Sequence, residues 1–344
     1  MLLALVALLV WGRDRIHFDF GLFRAQLSLA NWAKIGIATG CIYLAYVFRA
    51  VRWALLLRHN KKVPLFSLLG TQVIGFTAVA LIGRVADPVR PYLVAKKTGL
   101  PLTNQFAVYV VERLFDAGSM ALIFSSVILV TTWFQSSETL PHQELVKSAA
   151  KFGLAATALG ALFLVVVRLA GGVVASFLQK ALGVLSARLA HAVGDKIRSF
   201  QQGLDTLRSL SDFGITSALS IGMWMLITLA YFETARAFVA SPQLASMSLA
   251  RCVLLLAVSG TASVLQLPII GWFTQIGIVS GALFNFLGVA WEPAVACAAT
   301  ILFVSFLAIV PVGLIWARMD HVNLRKVTVE SEQAGAGLAE EKTV

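Results

Sequence analysis

Apolar residues run almost without interruption over 32–57, 106–134, 152–178, 215–239 and 293–317. Each run reaches the ~20 residues that a helix needs to cross a hydrocarbon core about 30 Å thick, so the pattern predicts five spanning helices. Two further apolar stretches break this rhythm. One runs from Phe66 through GTQVIGFTAVALIGRVADPVRPY, the other from Val253 through SGTASVLQLPIIGWFTQIG, and Gly, Pro or charge interrupts both. Backbone freed by such residues is tolerated at membrane depth only where protein or a polar cavity covers it. Both stretches therefore read as re-entrant hairpins. Interrupted segments at corresponding places in two halves are the sequence pointer to a transporter's midplane binding site.

Between Arg188 and Arg208 the period changes. Leu189, Val193, Ile197, Phe200, Leu204 and Leu207 recur every three or four residues among charges, which predicts an amphipathic helix at the interface. It serves either as a linker packed on the protein or as a lipid-sensing surface. The opening MLLALVALLVW is 11 residues long, about 17 Å as a helix, too short to span. Without a basic n-region it does not read as a signal peptide, and a truncated or misassigned start is expected. The tail VTVESEQAGAGLAEEKTV has almost no large apolar residue and reads as disordered. The expected organisation is an N-terminal segment over 1–31, a transmembrane domain over 32–320 with halves at 32–134 and 213–318, and a cytoplasmic tail over 321–344. A membrane helix and the amphipathic helix 188–208 link the halves.

Composition agrees with a lipid solvent. Hydrophobic residues make up 58% and charged residues 13% of the chain, against about a quarter charged in a soluble domain. The net charge of +11 points to anionic lipid headgroups rather than nucleic acid, because the basic residues flank apolar segments and form no tract with interleaved aromatics. Arg49, Arg52, Arg58, Lys61 and Lys62 cluster at the end of the first span, and 168–208 and 318–326 are also basic-rich. These read as cytoplasmic. The first hairpin then opens to the cytoplasm and the second to the outside, so the halves form an inverted-topology repeat whose tips meet near the midplane. The fold class expected is all-α, a polytopic membrane helix bundle with two re-entrant hairpins. Cys41, Cys252 and Cys297 lie far apart in apolar stretches and read as packing residues.

Candidate chemistry gathers at the interruptions. In GRVADPVRPY, Asp87 before Pro88 reads as a helix start, an N-cap carboxylate ahead of a proline at the first helical position. Arg84 and Arg90 beside that N-terminus form a site suited to a phosphate or another anion. The competing reading has Asp87 pairing with the arginines to close the hairpin. In VVERLFD, Glu112 and Asp116 share a helix face and Arg113 reaches Asp116. These groups form an interfacial ion network, balance the hairpin arginines or carry a coupling proton. Around the second tip, Pro268, Gly271, Thr274 and Gln275 offer uncharged groups that satisfy broken backbone or touch a polar headgroup. Arg251 stands near the outer mouth.

GRVADPVRPYL, VVERLFD and LPIIGWFTQ resemble, in order and spacing, signatures of the transmembrane domain of lysylphosphatidylglycerol synthases and the flippase-like proteins that share it, over roughly residues 32–320. The first signature there is typically Pro-Gly-Arg-x-Gly-Glu-x-x-Arg. Gly83, Arg84 and Arg90 match it, Asp87 takes the Glu position, and Ile82 and Ala86 replace Pro and Gly. Glu112, Arg113 and Asp116 match the second. Pro268 and Gly271 match the third, whereas Trp272 and Thr274 stand at its glycine positions and its acidic residue is missing.

The resemblance implies movement of a lipid with a charged headgroup between leaflets. The expected function is therefore the flipping of an anionic, phosphate-bearing lipid or lipid-linked glycan. The alternatives are a small-ion or solute transporter and a membrane-embedded lipid-modifying transferase. With no DxD or HxxxH motif and no nucleotide-binding loop in the chain, no enzyme activity and no cofactor are expected. The partners expected are the cell (inner) membrane, the lipid itself and a lipid-synthesising or glycosyltransferase enzyme, with no nucleic acid.

Overall fold

A computed structural model describes residues 18–58, 60–133, 143–183, 209–263 and 270–340, whose regular elements are all helices, with no strand among them. The helices are α1 (Phe20–Ser28), α2 (Trp32–Leu57), α3 (Leu65–Ile82), α4 (Val89–Thr98), α5 (Leu102–Trp133), α6 (Gln143–Gly183) and α7 (Leu210–Arg236). There follow the one-turn α8 (Pro242–Ala245), then α9 (Leu249–Ala262), α10 (Ile270–Leu287), α11 (Trp291–Leu302), α12 (Val310–Met319) and α13 (Leu324–Glu340). Local chemistry sets the starts. Asp19, Asn31 and Ser248 each accept first-turn N–H groups of α1, α2 and α9, and Ser209 and Asp212 close a capping box on α7. Gly99, in the left-handed region at φ 69°, ends α4.

Among the described residues six helices are long and apolar enough to cross a membrane: Trp32–Leu57, Leu65–Ile82, Leu102–Thr131, Gln143–Leu162, Ser211–Arg236 and Trp291–Met319. The chain is a multi-pass membrane protein. Four of the five spans read from the apolar runs return with shifted ends, and 32–57 returns unchanged. The sixth, α3, departs from the expectation that its stretch is too interrupted to span. Gly70 and Gly75 stay helical because neighbours fill their missing side chains: a Cβ at Gly70 would meet the Trp316 indole, and one at Gly75 the aliphatic stem of Arg90. The break comes only at Gly83, whose φ of 93° is open to glycine and strained for any L-residue. A 3-10 turn, Arg84–Ala86, then leads to α4, which packs back on α3.

The second interrupted stretch gives a similar arrangement, with α9 and α10 packed together. Pro268 and the rest of 264–269 lie outside the described residues, as do the amphipathic helix over 188–208 and residues 1–17 of the N-terminal segment. The span 291–319 is not uniform: a π turn at Phe303–Leu307 divides it, and the Tyr43 hydroxyl donates to the Ala308 carbonyl beside it (2.8 Å).

α2 and α7 form the centre of the bundle and run antiparallel, with Lys34 on Glu233 (3.0 Å) at one end and Arg58 on Asp212 at the other. Tyr46, Tyr231, Ala235, Leu255, Leu256, Cys252 and Cys297 belong to the apolar core around them. Much of α6 stays exposed, including Phe152, Leu159, Leu162 and Phe177, as a lipid-facing surface requires. The tail differs from the sequence reading. Residues 324–340 form α13, whose Val327 joins a buried cluster with Ile74, Ala86 and Leu93. Polar contacts add to this anchoring: Tyr92 donates to Glu330 (2.9 Å), and Lys97 donates to Asp320 (2.7 Å) just ahead of α13.

Candidate functional site

Charged side chains meet at one level of the bundle. Arg49 lies eight residues before Leu57 at the end of α2, Arg90 eight before Thr98 at the end of α4, and Glu112 ten after Leu102 at the start of α5. At 1.5 Å per residue each is about 12–15 Å from its helix end, roughly half of a 30 Å core. Counted from these helix ends, the cluster lies well inside the bundle.

Its hub is Glu112, which is fully buried. Oε1 accepts from Arg49 Nη1 (3.1 Å), Arg90 Nη1 (3.0 Å) and Arg113 Nη2, and Arg52 Nη2 lies 3.1 Å away. Oε2 accepts from the Trp53 indole. Asp116, one turn on, accepts from Arg52 Nη1 at 2.7 Å, and its other oxygen lies 2.9 Å from Arg113 Nη2. Arg52 also donates to Ser220 on α7 (2.7 Å). Phe76 is covered by two guanidiniums, Arg49 at 4.5 Å and Arg90 at 4.4 Å from its centroid. Four guanidiniums thus surround two carboxylates, which leaves two positive charges in excess at a depth where charge is costly. The Nε atoms of Arg49, Arg52, Arg90 and Arg113 are buried without an acceptor in the protein.

Arg84 and Asp87 stand beside this cluster in the interruption after α3. The N-cap reading of Asp87 is corrected. Asp87 has helical φ and ψ and Pro88 occupies the cap position with no side-chain bond, so its carboxylate faces Arg84 Nη1 at 3.4 Å instead. Arg84 also reaches across to the end of α9, donating to the Ser263 carbonyl (3.0 Å) and hydroxyl (2.7 Å). Trp272 of α10 makes the reciprocal contact, its indole donating to the Ala80 carbonyl (2.9 Å) in the last turn of α3. That carbonyl falls among those a helix end leaves unpaired.

A cavity of about 150 Å³ lies between these parts. Its lining includes the charged Arg49, Arg84, Arg113 and Asp116 and the polar Trp224, Tyr231, Ser259, Ser263 and Ser305. Arg90, expected beside Arg84 at an open anion site, is fully buried on Glu112 and Gln72 instead, so it holds the cluster rather than the cavity. Gln275 is buried behind Ser259 and donates to its hydroxyl (3.2 Å). Gly271 and Thr274 are not among the residues lining this cavity. Arg251 sits in the first turn of α9, eight residues and thus about 12 Å from Ser259.

Arg49 and Arg52 correct the charge reading. They are buried members of the cluster, not part of a cytoplasmic loop. The available signal was their spacing, an Arg-x-x-Arg-Trp inside an apolar run that still has Ala54, Leu55, Leu56 and Leu57 to come.

Fold and site together define a polytopic helical membrane protein with a buried, arginine-rich and partly compensated ion cluster. The chain matches the family model of the lysylphosphatidylglycerol synthase TM region over residues 1–313 and belongs to that family. Comparison with curated proteins and with solved structures gave no match.

Proposed function

We propose that this protein moves the headgroup of an anionic, phosphate-bearing lipid or lipid-linked glycan across the bilayer, with the acyl chains left in lipid. One observation carries the reading: a cavity lined by Arg49, Arg84 and Arg113, backed by a buried cluster with positive charge in excess. A cavity of about 150 Å³ is smaller than the roughly 300–1,000 Å³ of pockets that enclose whole small molecules. It suits a headgroup, not a lipid. In this reading α3 with α4 and α9 with α10 are re-entrant hairpins of two inverted halves. The antiparallel packing of α2 and α7 supports this, since helices exchanged by a two-fold axis in the membrane plane run in opposite directions.

Cysteines placed singly at Lys62 and Lys97, in a chain lacking its native cysteines, are expected to react with an impermeant reagent from the cytoplasmic side only. Reaction from opposite sides makes the first pair a crossing and removes the inverted repeat.

The function is tested in liposomes carrying the purified protein, by leaflet-selective quenching of labelled phosphatidylglycerol and mass spectrometry of the recovered lipid. Equilibration of the label with unchanged mass is expected. A covalently altered lipid instead assigns an enzyme built on Glu112 and Asp116, and flux of a small solute without lipid movement assigns a solute transporter.

A further inference from the structure

A second cavity, of about 340 Å³, lies away from the arginine cluster, where α4 and α12 end and α13 begins. Pockets that enclose small molecules start at roughly 300 Å³, so this one is large enough to hold a ligand of its own. Lys96 and Lys97 reach it from the last turn of α4, and Lys326 from the first turn of α13. Two carboxylates, Asp320 and Glu330, also line it. Both are engaged: Asp320 accepts from Lys97 (2.7 Å) and Glu330 from the Tyr92 hydroxyl (2.9 Å). Lys96 and Lys326 are held more loosely. Their Nζ atoms stand 3.9 and 3.8 Å from oxygens of the same Glu330, beyond the ~3.2 Å reach of an ordinary hydrogen bond. Their side chains are 64% and 75% exposed, and both ammoniums are therefore open to another acceptor. The 17-residue α13 starts at the same cavity, with Asn323 Oδ1 accepting from the Lys326 N–H (3.1 Å). A helix start adds partial positive charge and unpaired N–H groups.

We propose that this cavity binds a terminal phosphate group, carried by a small soluble molecule or by a lipid headgroup, between Lys96 of α4 and Lys326 of α13. A phosphate monoester has three acceptor oxygens and a charge of about −1.5 to −2 at neutral pH, so it can serve both ammoniums and the start of α13 together. A phosphodiester has only two such oxygens and a single charge. The site stands apart from the transport reading, because none of its lining residues belongs to the arginine-lined cavity. It also has a mechanical consequence. α13 docks through few apolar residues, chiefly Val327 with Leu324, and a ligand that touches both α4 and α13 binds the docked arrangement alone and raises its population.

The test is calorimetric titration of the purified full chain in an uncharged detergent with glycerol 3-phosphate, dihexanoyl phosphatidic acid and dimethyl phosphate. At least one of the two monoesters is expected to bind about tenfold more tightly than the diester, and whichever of the two binds more tightly identifies a soluble or a lipid source. Lys96→Gln and Lys326→Gln are each expected to weaken that binding about fivefold or more. Glu330→Gln keeps an acceptor for Tyr92 and removes the competing carboxylate, so it is expected to tighten binding about threefold. A merely structural Glu330 would give the opposite sign. Saturating ligand is expected to slow cleavage after Glu332 by a Glu-specific protease; Glu332 lies on α13 outside the cavity lining, so slowing reports docking rather than shielding. No binding of either monoester, equal binding of the diester, wild-type affinity in both lysine variants, weaker binding by a folded Glu330→Gln protein, or unslowed cleavage overturns the inference. Binding lost in Arg84→Gln and kept in the lysine variants places the phosphate in the arginine-lined cavity, which overturns the inference and leaves the transport reading standing.

Discussion

Glu112→Ala is expected to cost the protein most of its stability. Its carboxylate lies against four guanidiniums and a tryptophan indole, and its removal leaves Asp116 alone to balance Arg49, Arg52, Arg90 and Arg113. Breaking one buried pair typically costs about 3–5 kcal/mol, because the surviving charge stays buried without a partner. Here several charges lose a partner together. The measurement is thermal unfolding of the purified protein in detergent, together with the fraction recovered as a monodisperse species. Adding Arg90→Met to Glu112→Ala is expected to recover part of the loss, since it removes one of the stranded charges. A single variant that melts like the wild type shows that Glu112 is not the hub.

Arg84→Gln is expected to act on transport and hardly on stability. About a third of the Arg84 side chain is exposed, and it joins the first interruption to the end of α9 through Ser263. Charge-assisted hydrogen bonds are worth roughly 1.5–3 kcal/mol each, and 1.4 kcal/mol is a factor of ten in rate. If the guanidinium carries the headgroup phosphate past the midplane, lipid equilibration in liposomes falls tenfold or more while the melting temperature stays within a few degrees. Arg90→Gln gives the contrast. Arg90 is fully buried on Glu112, so its loss is expected to lower the melting temperature before transport can be read. Wild-type lipid movement by a folded Arg84→Gln protein rules Arg84 out of the path.

The spans were legible because lipid imposes a simple demand, about 20 apolar residues in a row, and composition alone meets it. Glu112, Arg113 and Asp116 were legible as well, since charge inside an apolar run is rare enough to stand out. Arg49 and Arg52 were not: with Arg58, Lys61 and Lys62 close behind them, they merged into what reads as an interfacial basic cluster. Their partners on α5 are more than sixty residues away in the chain, and no local pattern signals that contact. The continuity of α3 was hidden for a related reason. Whether a glycine interrupts a helix depends on what packs against it, and Trp316 comes from the far end of the chain. The tail reads as disordered from composition because very few apolar residues, chiefly Val327 with Leu324, dock α13, helped by the Tyr92 hydroxyl on Glu330.

The paired ends of α2 and α7 bear on how such a molecule can move. Each ion pair near the surface contributes only about 0–1 kcal/mol, so their weight is geometric. They stand about 36 Å apart along α2, counting 24 residues from Lys34 to Arg58 at 1.5 Å each. A slip of one helix along the other by a single turn would part both contacts at once and pull Arg52 from Ser220 between them. The two helices therefore hold one register, and under the transport reading proposed above any alternation of access falls to the elements packed on either side of them. In that reading Arg84 with Ser263, and Trp272 with Ala80, are the contacts such a movement has to break.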